Sequence, residues 1–152
     1  YSSIFQKVNL AKPNTKVTTP ITSAINALKS LKIKKLTIFT PYTNEINKSV
    51  INYFEKEDIE LSELSYFDLA SDLDIGRVDP DYLFDVLTKI DLSNSDALFV
   101  SCTSLPVLSI IKELEKKINK VVLSSNQTLI WDTLKQIQFK KEINGYGELF
   151  SS

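Results

Sequence analysis

Apolar residues follow two different spacings along the chain, and together these spacings predict strands that alternate with helices. Short runs typical of β-strands occupy residues 36–39, 59–64, 97–100 and 121–123. The run 97–100 is continuously apolar, which is typical of a strand in the middle of a parallel sheet. Residues 59–64 alternate between apolar and polar side chains, which favours a place nearer the edge of the sheet.

The segments between these runs carry apolar residues at helical spacing. Thr19-Pro20 and Asp79-Pro80 are favourable helix starts, because Thr and Asp cap free N–H groups and proline fits a first turn. Residues 1–14 predict a short helix, residues 65–79 show no period, and residues 144–149 predict a turn followed by an extended segment. The predicted buried helix faces consist of Ile21, Ala24, Ile25, Leu28 and Leu31; Ile46, Val50, Ile51 and Phe54; Leu83, Leu87 and Ile90; Leu105, Leu108, Ile111, Leu114 and Ile118; and Leu129, Ile130, Leu134 and Ile137, with Trp131 beside them.

This alternation predicts an α/β fold, with a flavodoxin-like parallel sheet and helices on both of its faces. Ligands of such sheets bind beyond the carboxyl ends of the strands. Hydroxyl or amide side chains follow three of the predicted strands, at residues 40–43, 101–104 and 124–126. Each of these residues alone is explained as a helix cap. The three groups together favour a site for a small anion such as a carboxylate.

Cys102 lies in the middle of this arrangement, directly after the strand predicted at 97–100. Thr103 and Ser104 are helix-start residues and Pro106 fits a first turn, so we expect the strand to run straight into a helix. Free N–H groups and the helix dipole would favour a thiolate at such a junction. The alternative is a small, buried and unreactive cysteine, since free cysteines are among the most buried residues.

Composition narrows the possible functions. The chain has 152 residues, 43% of them hydrophobic and 24% charged, which is the balance of one ordinary globular domain. A net charge of −1 and lysines interspersed with glutamates give no support for nucleic-acid binding, and no apolar run reaches the length of a membrane span. One cysteine excludes an internal disulfide framework, and the default location is the cytoplasm.

The chain contains no histidine, which excludes Ser-His-Asp, Cys-His and histidine-zinc sites within it. The three glycines do not match a phosphate-binding loop, and the acidic residues of segment 65–79 lack the spacing of a calcium loop. We therefore expect neither a metal nor a cofactor. The chain also contains no methionine, even at position 1, which suggests that it is part of a longer or processed protein.

An ordered set of motifs resembles the maleate isomerase and arylmalonate decarboxylase branch of the aspartate/glutamate racemase superfamily. The matching segments are 16–24, 39–43, 75–78, 97–103, 123–127 with Trp131 following, and 145–149. They come in the order of the family and cover nearly the whole chain from Lys16 onward. The resemblance implies a cofactor-free enzyme built from two similar α/β halves, with the active site between the halves.

The resemblance also implies roles for individual residues. Cys102 matches the cysteine of the second half, and Tyr42 matches the tyrosine that hydrogen-bonds a substrate carboxylate. Thr103 and Ser104 match the start of a helix whose N–H groups and hydroxyls hold a carboxylate. Asp72 stands where the family often has an asparagine that contacts the substrate. In the family the first cysteine lies ahead of the region where this chain begins, and nothing before Lys16 carries it.

We therefore expect residues 16–152 to form the C-terminal α/β domain of a two-domain, pseudo-symmetric enzyme. Residues 1–15 would be a linker or a remnant of the N-terminal half. That missing half, a small dicarboxylate and further copies of the same chain in a homo-oligomer are the partners that the resemblance implies.

The expected function is cofactor-independent maleate cis–trans isomerisation, or a close relative of that reaction on a small dicarboxylate. Two alternatives on the same scaffold are an arylmalonate-type decarboxylase and an aspartate/glutamate-type racemase. A cysteine in the missing half would favour isomerase or racemase, whereas a glycine there would favour decarboxylase. A fourth possibility is a non-catalytic carboxylate-binding domain, because flavodoxin-like folds serve many roles.

Overall fold

The computed structural model describes residues 2–151, and within them four strands alternate with helices. Tyr1, the first residue of the predicted linker 1–15, and Ser152, the last residue of the predicted domain 16–152, lie outside the described residues. The strands are β1 (Lys35–Thr40), β2 (Glu60–Tyr66), β3 (Ala97–Val100) and β4 (Val121–Ser124). The α-helices are α1 (Ser2–Ala11), α2 (Pro20–Ser30), α3 (Asn44–Glu55), α4 (Asp72–Gly76), α5 (Pro80–Leu87), α6 (Ile111–Ile118) and α7 (Ser125–Gln136), and a 3₁₀ turn covers Glu148–Phe150.

The sheet is parallel throughout, with the strand order β2-β1-β3-β4. Leu36 of β1 lies opposite Ala97 of β3, and Ala97 lies opposite Val121 of β4. The predicted α/β class and the edge position of β2 are thereby confirmed. No helix among residues 2–151 combines the length and the apolar character that a membrane crossing requires.

Apolar side chains from alternate strand positions fill a separate core on each face of the sheet, as the pleat of a strand requires. Each fully buried large side chain contributes about 1.5–3 kcal/mol to stability. The core on the side of α2, α3 and α7 contains Leu28, Leu36, Ile38, Phe54, Phe99 and Leu123. The opposite core, on the side of α5 and α6, contains Phe39, Leu83, Leu98, Val100, Leu114 and Val122.

Three helix starts have the caps that the sequence favours. The Thr19 hydroxyl accepts from the N–H of Thr22, and the Asp79 carboxylate accepts from two N–H groups of α5. Ser124 and Gln127 form a reciprocal capping box at the start of α7. These caps fix the points at which α2, α5 and α7 leave the loops of the sheet.

The prediction that β3 runs directly into a helix is wrong. Residues 101–110 are bends and turns, and α6 begins only at Ile111. Leu105 precedes Pro106, and a residue before proline is disfavoured in helical conformation. Leu105 and Val107 are both buried at a spacing of two, so this segment packs as an irregular loop. Cys102 therefore does not lie at a helix N-terminus.

Two predicted helix faces are wrong in part. Ile46 is 48% exposed, Ile130 45% and Ile137 65%, whereas the polar residues Asn47 and Asp132 are buried. Both polar side chains are hydrogen-bonded, so burying them carries no unpaired group.

Two further segments differ from prediction. The aperiodic segment 65–79 contains the end of β2 and the short helix α4. Residues Glu148–Phe150 form a 3₁₀ turn instead of the predicted extended segment.

Candidate active site

The carboxyl ends of β1 and β3 lie side by side at the point where the chain connections diverge. From β1 the chain continues through α3 to β2 on one side, and from β3 it continues through α6 to β4 on the other. Such a switch point opens a crevice that binds ligands in open parallel sheets. The N–H of Ser101 donates to the carbonyl of Phe39 over 2.8 Å, which holds the two strand ends together.

Cys102 lies just beyond β3 and is buried, with 5% of its surface exposed. Its side chain packs in the core that contains Leu105 and Val107. The backbone N–H of Ser104 donates to the Cys102 sulfur over 3.3 Å. The N–H that faces the sulfur therefore belongs to a loop, whereas the sequence predicted N–H groups of the first turn of a helix.

Thr103 and Ser104 are exposed beside Cys102, as loop residues and not as the helix start predicted for them. The side-chain amide of Asn126, in the first turn of α7, donates to the carbonyl of Thr103 over 2.9 Å. This contact joins the strand ends of β3 and β4. The sequence placed Asn126 among the polar strand ends but did not identify it as a partner of the cysteine loop.

Tyr42 is half-buried after β1, and its backbone is held on both sides. Its N–H donates to the Thr40 hydroxyl over 3.2 Å, and its carbonyl accepts from the Asn47 amide over 3.2 Å. The Thr40 hydroxyl in turn donates to the side-chain oxygen Oδ1 of Asn47 over 2.6 Å. The spacing of apolar residues did not identify Asn47. The signal that could have found it is an amide in the first turns of α3, close in sequence to Thr40 and Tyr42.

The Tyr42 hydroxyl interacts with Cys102, so the structure brings these two predicted residues together. Burial raises the pKa of Tyr42 well above its ordinary value, and the hydrogen bond and charge of the Cys102 side chain raise it further. A hydrogen bond with the Ser101 hydroxyl opposes the rise. Tyr42 is therefore a neutral phenol that can donate a hydrogen bond to an anion beside the thiol.

Asp72 is the last of the five predicted site residues at this end of the sheet. It is exposed at the start of α4, and its charge also raises the pKa of Tyr42. The loop that leads to it is tied to the end of β1, because the N–H of Leu69 donates to the carbonyl of Pro41 over 2.8 Å. Asp72 therefore lies near enough to Tyr42 for its charge to act on the phenol.

A cavity of about 360 Å³ adjoins this group on the side of α2 and α3. Tyr42, Ser101, Thr103 and Ser125 line it on the side of the strand ends. Its apolar lining includes Ile46 and Phe99, and the exposed Ile46 thus borders the cavity. A larger cavity of about 590 Å³ lies between α6 and the C-terminal segment and is lined by none of the predicted site residues.

The candidate site consists of neutral donors and a thiol, apart from the carboxylate of Asp72. Within residues 2–151, no three metal-ligating side chains come close enough to hold an ion. The neutral phenol, the hydroxyls and the loop N–H groups can hold carboxylate oxygens, and the thiol can move a proton.

Comparisons with known proteins identify relatives of the chain. The family model of arylmalonate decarboxylase matches residues 6–150. The chain is 28% identical over 128 residues to maleate isomerase of Geobacillus stearothermophilus, which covers 84% of this chain and 51% of that protein. The chain therefore spans about half the length of this relative.

Solved structures show the same fold. Maleate cis-trans isomerase of Nocardia farcinica, as a cysteine-to-serine variant with a covalently bound succinylcysteine intermediate, superposes with a TM-score of 0.90 at 20% identity. That comparison covers 98% of this chain and 61% of the other. A maleate isomerase variant from Pseudomonas putida S16, solved with maleate, gives a TM-score of 0.91 at 21% identity over 99% of this chain and 60% of the other.

The family match spans almost all of the chain, and the parallel fold agrees with it. The chain therefore belongs to the arylmalonate decarboxylase family, within the maleate isomerase and arylmalonate decarboxylase branch of the aspartate/glutamate racemase superfamily.

Proposed function

We propose that this chain provides the Cys102 half of the active site of a cofactor-independent maleate cis–trans isomerase. The observation that carries the proposal is the placement of Cys102 and Tyr42 beyond the adjacent carboxyl ends of β3 and β1, which the hydrogen bond from Ser101 to Phe39 holds together at the switch point of the sheet. Maleate isomerases among the relatives support the reaction class. In this proposal residues 16–152 form one α/β domain, and a second, similar half completes the site.

The chemistry follows from what each group can do. A thiolate of the missing N-terminal half adds to one carbon of the double bond, and the electron pair moves onto the other carbon and its carboxylate. Cys102 gives its proton to that carbon, which leaves a single bond about which the molecule rotates. Cys102 then takes a proton back as the carbon–sulfur bond breaks and fumarate leaves. The covalent succinylcysteine in the Nocardia farcinica enzyme supports such an intermediate.

Tyr42 stabilises the charge that develops in this sequence. The electron pair spreads over a carboxylate as an enediolate, and a neutral, preoriented donor favours that state over the ground state. In the proposal the hydroxyls of Thr103 and Ser104 hold carboxylate oxygens in the same way. Asp72 borders the substrate on the side of β2. A homo-oligomeric state and a cytoplasmic location stay predictions.

Decarboxylation is the second candidate, because the family model that matches is that of arylmalonate decarboxylase. In that reaction carbon dioxide leaves first, and Cys102 alone protonates the resulting enediolate. The two candidates differ in the residue that the missing N-terminal half places opposite Cys102. A cysteine favours the isomerase or a racemase, and a glycine favours the decarboxylase.

The decisive experiment is to incubate the full-length product with maleate in D₂O and to follow fumarate by proton NMR. We expect fumarate from the parent protein and none from Cys102→Ala. The matched control is Val107→Ala, which perturbs the same core without removing the thiol. It should lower the melting temperature while fumarate still forms.

Two outcomes would contradict the proposal. Turnover by a folded Cys102→Ala variant at the parent rate would remove Cys102 from the mechanism. A folded parent protein that forms no fumarate would reject the isomerase. Release of carbon dioxide from an arylmalonate would then identify the second candidate.

A further inference from the structure

A chain of hydrogen bonds connects α7 to the sulfur of Cys102 through a single peptide unit. The amide of Asn126 donates to the carbonyl of Thr103 over 2.9 Å. The N–H of the same peptide unit, which belongs to Ser104, donates to the Cys102 sulfur over 3.3 Å. The carbonyl and the N–H of one peptide are conjugated and lie in one plane. A donor at the oxygen therefore both orients and polarises the N–H that reaches the sulfur.

This peptide unit lies in a segment that has no helix or strand to hold it. Residues 101–110 are bends and turns, and the side chains of Thr103 and Ser104 are exposed. Without a contact from outside the loop, the peptide plane can rotate and turn its N–H away from the sulfur. The Asn126 amide provides that contact from a neighbouring element.

Asn126 is itself held in place. The capping box between Ser124 and Gln127 fixes the first turn of α7, with bonds of 3.1 and 3.2 Å between the two residues. The side-chain amide of Gln127 also donates to the carbonyl of Tyr146 over 2.6 Å. The first turn of α7 is thus anchored to the C-terminal segment, and Asn126 projects from a rigid base.

We propose that Asn126 is a positioning residue that sets the reactivity of the Cys102 thiol through the Thr103–Ser104 peptide. The inference rests on the proposed role of Cys102 as a proton donor. With the peptide held, its N–H stabilises negative charge on the sulfur after the proton has left. Without Asn126 the thiolate loses that stabilisation, although no group in direct contact with the sulfur has been removed.

The test is Asn126→Ala, with Asn26→Ala as the matched control. The Asn26 amide makes a comparable bond of 3.1 Å to Asp132 of α7 but does not reach the cysteine loop. Thiolate formation is followed in the full-length protein by ultraviolet absorbance, as the difference between each variant and the same variant with Cys102→Ser. This readout needs no substrate, so it remains informative if the proposed reaction is wrong.

We expect the midpoint of thiolate formation in Asn126→Ala to move upward by roughly 0.5 pH unit. If the isomerase assignment holds, kcat should fall about threefold with KM unchanged. Asn26→Ala should leave the midpoint in place, even if it lowers the melting temperature. An unchanged midpoint in folded Asn126→Ala, or an equal shift in Asn26→Ala, would overturn the proposal.

A second variant tests the proposal in case Asn126→Ala does not fold. Asn126→Asp is nearly isosteric, and an acidic side chain in the first turn of a helix is favourable, so α7 should keep its stability. The carboxylate cannot donate to the Thr103 carbonyl. We expect the midpoint to rise in this stable variant as well, and a midpoint equal to that of the parent protein would contradict the proposal.

Discussion

Burial and a neighbouring thiol act in the same direction on the hydroxyl of Tyr42. Both raise the pKa of this phenol, so it keeps its proton throughout the neutral range and cannot serve as a base. Its remaining role is to donate a hydrogen bond. The side chain that the resemblance assigned to carboxylate binding has the protonation state which that role requires.

Tyr42→Phe should therefore slow turnover without altering the pH profile. Loss of one hydrogen bond that is strongest on the charged enediolate predicts a kcat for maleate that falls roughly tenfold. Since the phenol does not titrate between about pH 6 and 9, the shape of kcat/KM against pH should match that of the parent protein. Tyr146→Phe is the control, because its exposed phenol lies on the C-terminal segment. A basic limb that disappears in Tyr42→Phe would contradict this assignment.

Single residues also show where sequence reasoning reaches its limit. Cys102 and Tyr42 were predicted together, because their types and their places after strands carry chemical information. Asn47 and Asn126 were missed as positioning groups, because their importance lies in the partners that folding gives them. A hydrophobic pattern assigns no value to a buried amide, although each of these amides holds a loop of the site.

At the scale of elements, periodicity succeeded where one continuous face is buried. The four strands were predicted to within a few residues, because strand ends in the sheet are followed by capping residues and turns. Periodicity failed at residues 105–110, where buried Leu105 and Val107 belong to a loop that packs into the core. Apolar spacing reports burial, and it cannot distinguish a helix from an irregular segment that is equally buried.

The C-terminal segment is docked by contacts that a glycine makes possible. Gly147 has a φ of +87°, and a Cβ atom there would lie 2.7 Å from Cγ2 of Ile111. Around it, the Glu115 carboxylate accepts from the N–H of Glu148 over 2.9 Å, and Gln127 holds the carbonyl of Tyr146. Because Gly147 has no side chain, the C-terminal segment can lie directly against α6 and α7.

We expect Gly147→Ala to destabilise the fold by about 2–4 kcal/mol, as the sum of overpacking and backbone strain. Gly145→Ala is the matched control, because its φ is +96° but its Cβ would meet open space. It should cost only the strain, about 1 kcal/mol. Denaturant unfolding of the two variants measures the difference, and equal losses would show that the close approach to Ile111 carries no cost.

For the whole molecule, the fold class, the parallel sheet and the edge strand followed from the sequence alone. The alternation of strand and helix leaves few topologies once crossovers are right-handed. The conformation of the loop after β3 could not be predicted from the sequence, because it depends on contacts with α7 and with the core on the side of α5 and α6. The side-by-side placement of the ends of β1 and β3 was therefore predictable, whereas the N–H group that faces the sulfur was not.

Asp96 connects the two central strands, β1 and β3, at their amino ends, which is the end of the sheet away from the candidate site. Its carboxylate accepts from the N–H groups of Lys34 and Lys35 over 2.9 and 2.8 Å. These two bonds, Lys35 foremost, lower the pKa of Asp96. An acid whose pKa is lowered by folding stabilises the folded state above its unfolded pKa. That stabilisation is lost as the pH falls through the folded value.

Asp96→Asn should accordingly lower stability at neutral pH and matter less in acid. Because the carboxylate is exposed, the loss should be only about 1 kcal/mol. Melting curves from pH 7 down to about pH 3 should show the gap to the parent protein narrowing. Asp85→Asn, on an exposed face of α5, is the control for the loss of a surface carboxylate. A gap that is constant with pH would contradict the role of the charge.

The pairing of β1 with β3 has a consequence for the order in which the protein assembles. Lys35 and Asp96, which join at the start of this pair, are 61 positions apart in the chain. During synthesis β1 and β2 emerge long before β3, and contacts between distant segments form slowly. Until β3 arrives, the apolar strand β1 has one open edge that other chains can join. The same event closes that edge of β1 and places Cys102 beside Tyr42, so the candidate site forms only when β1 is covered on both sides.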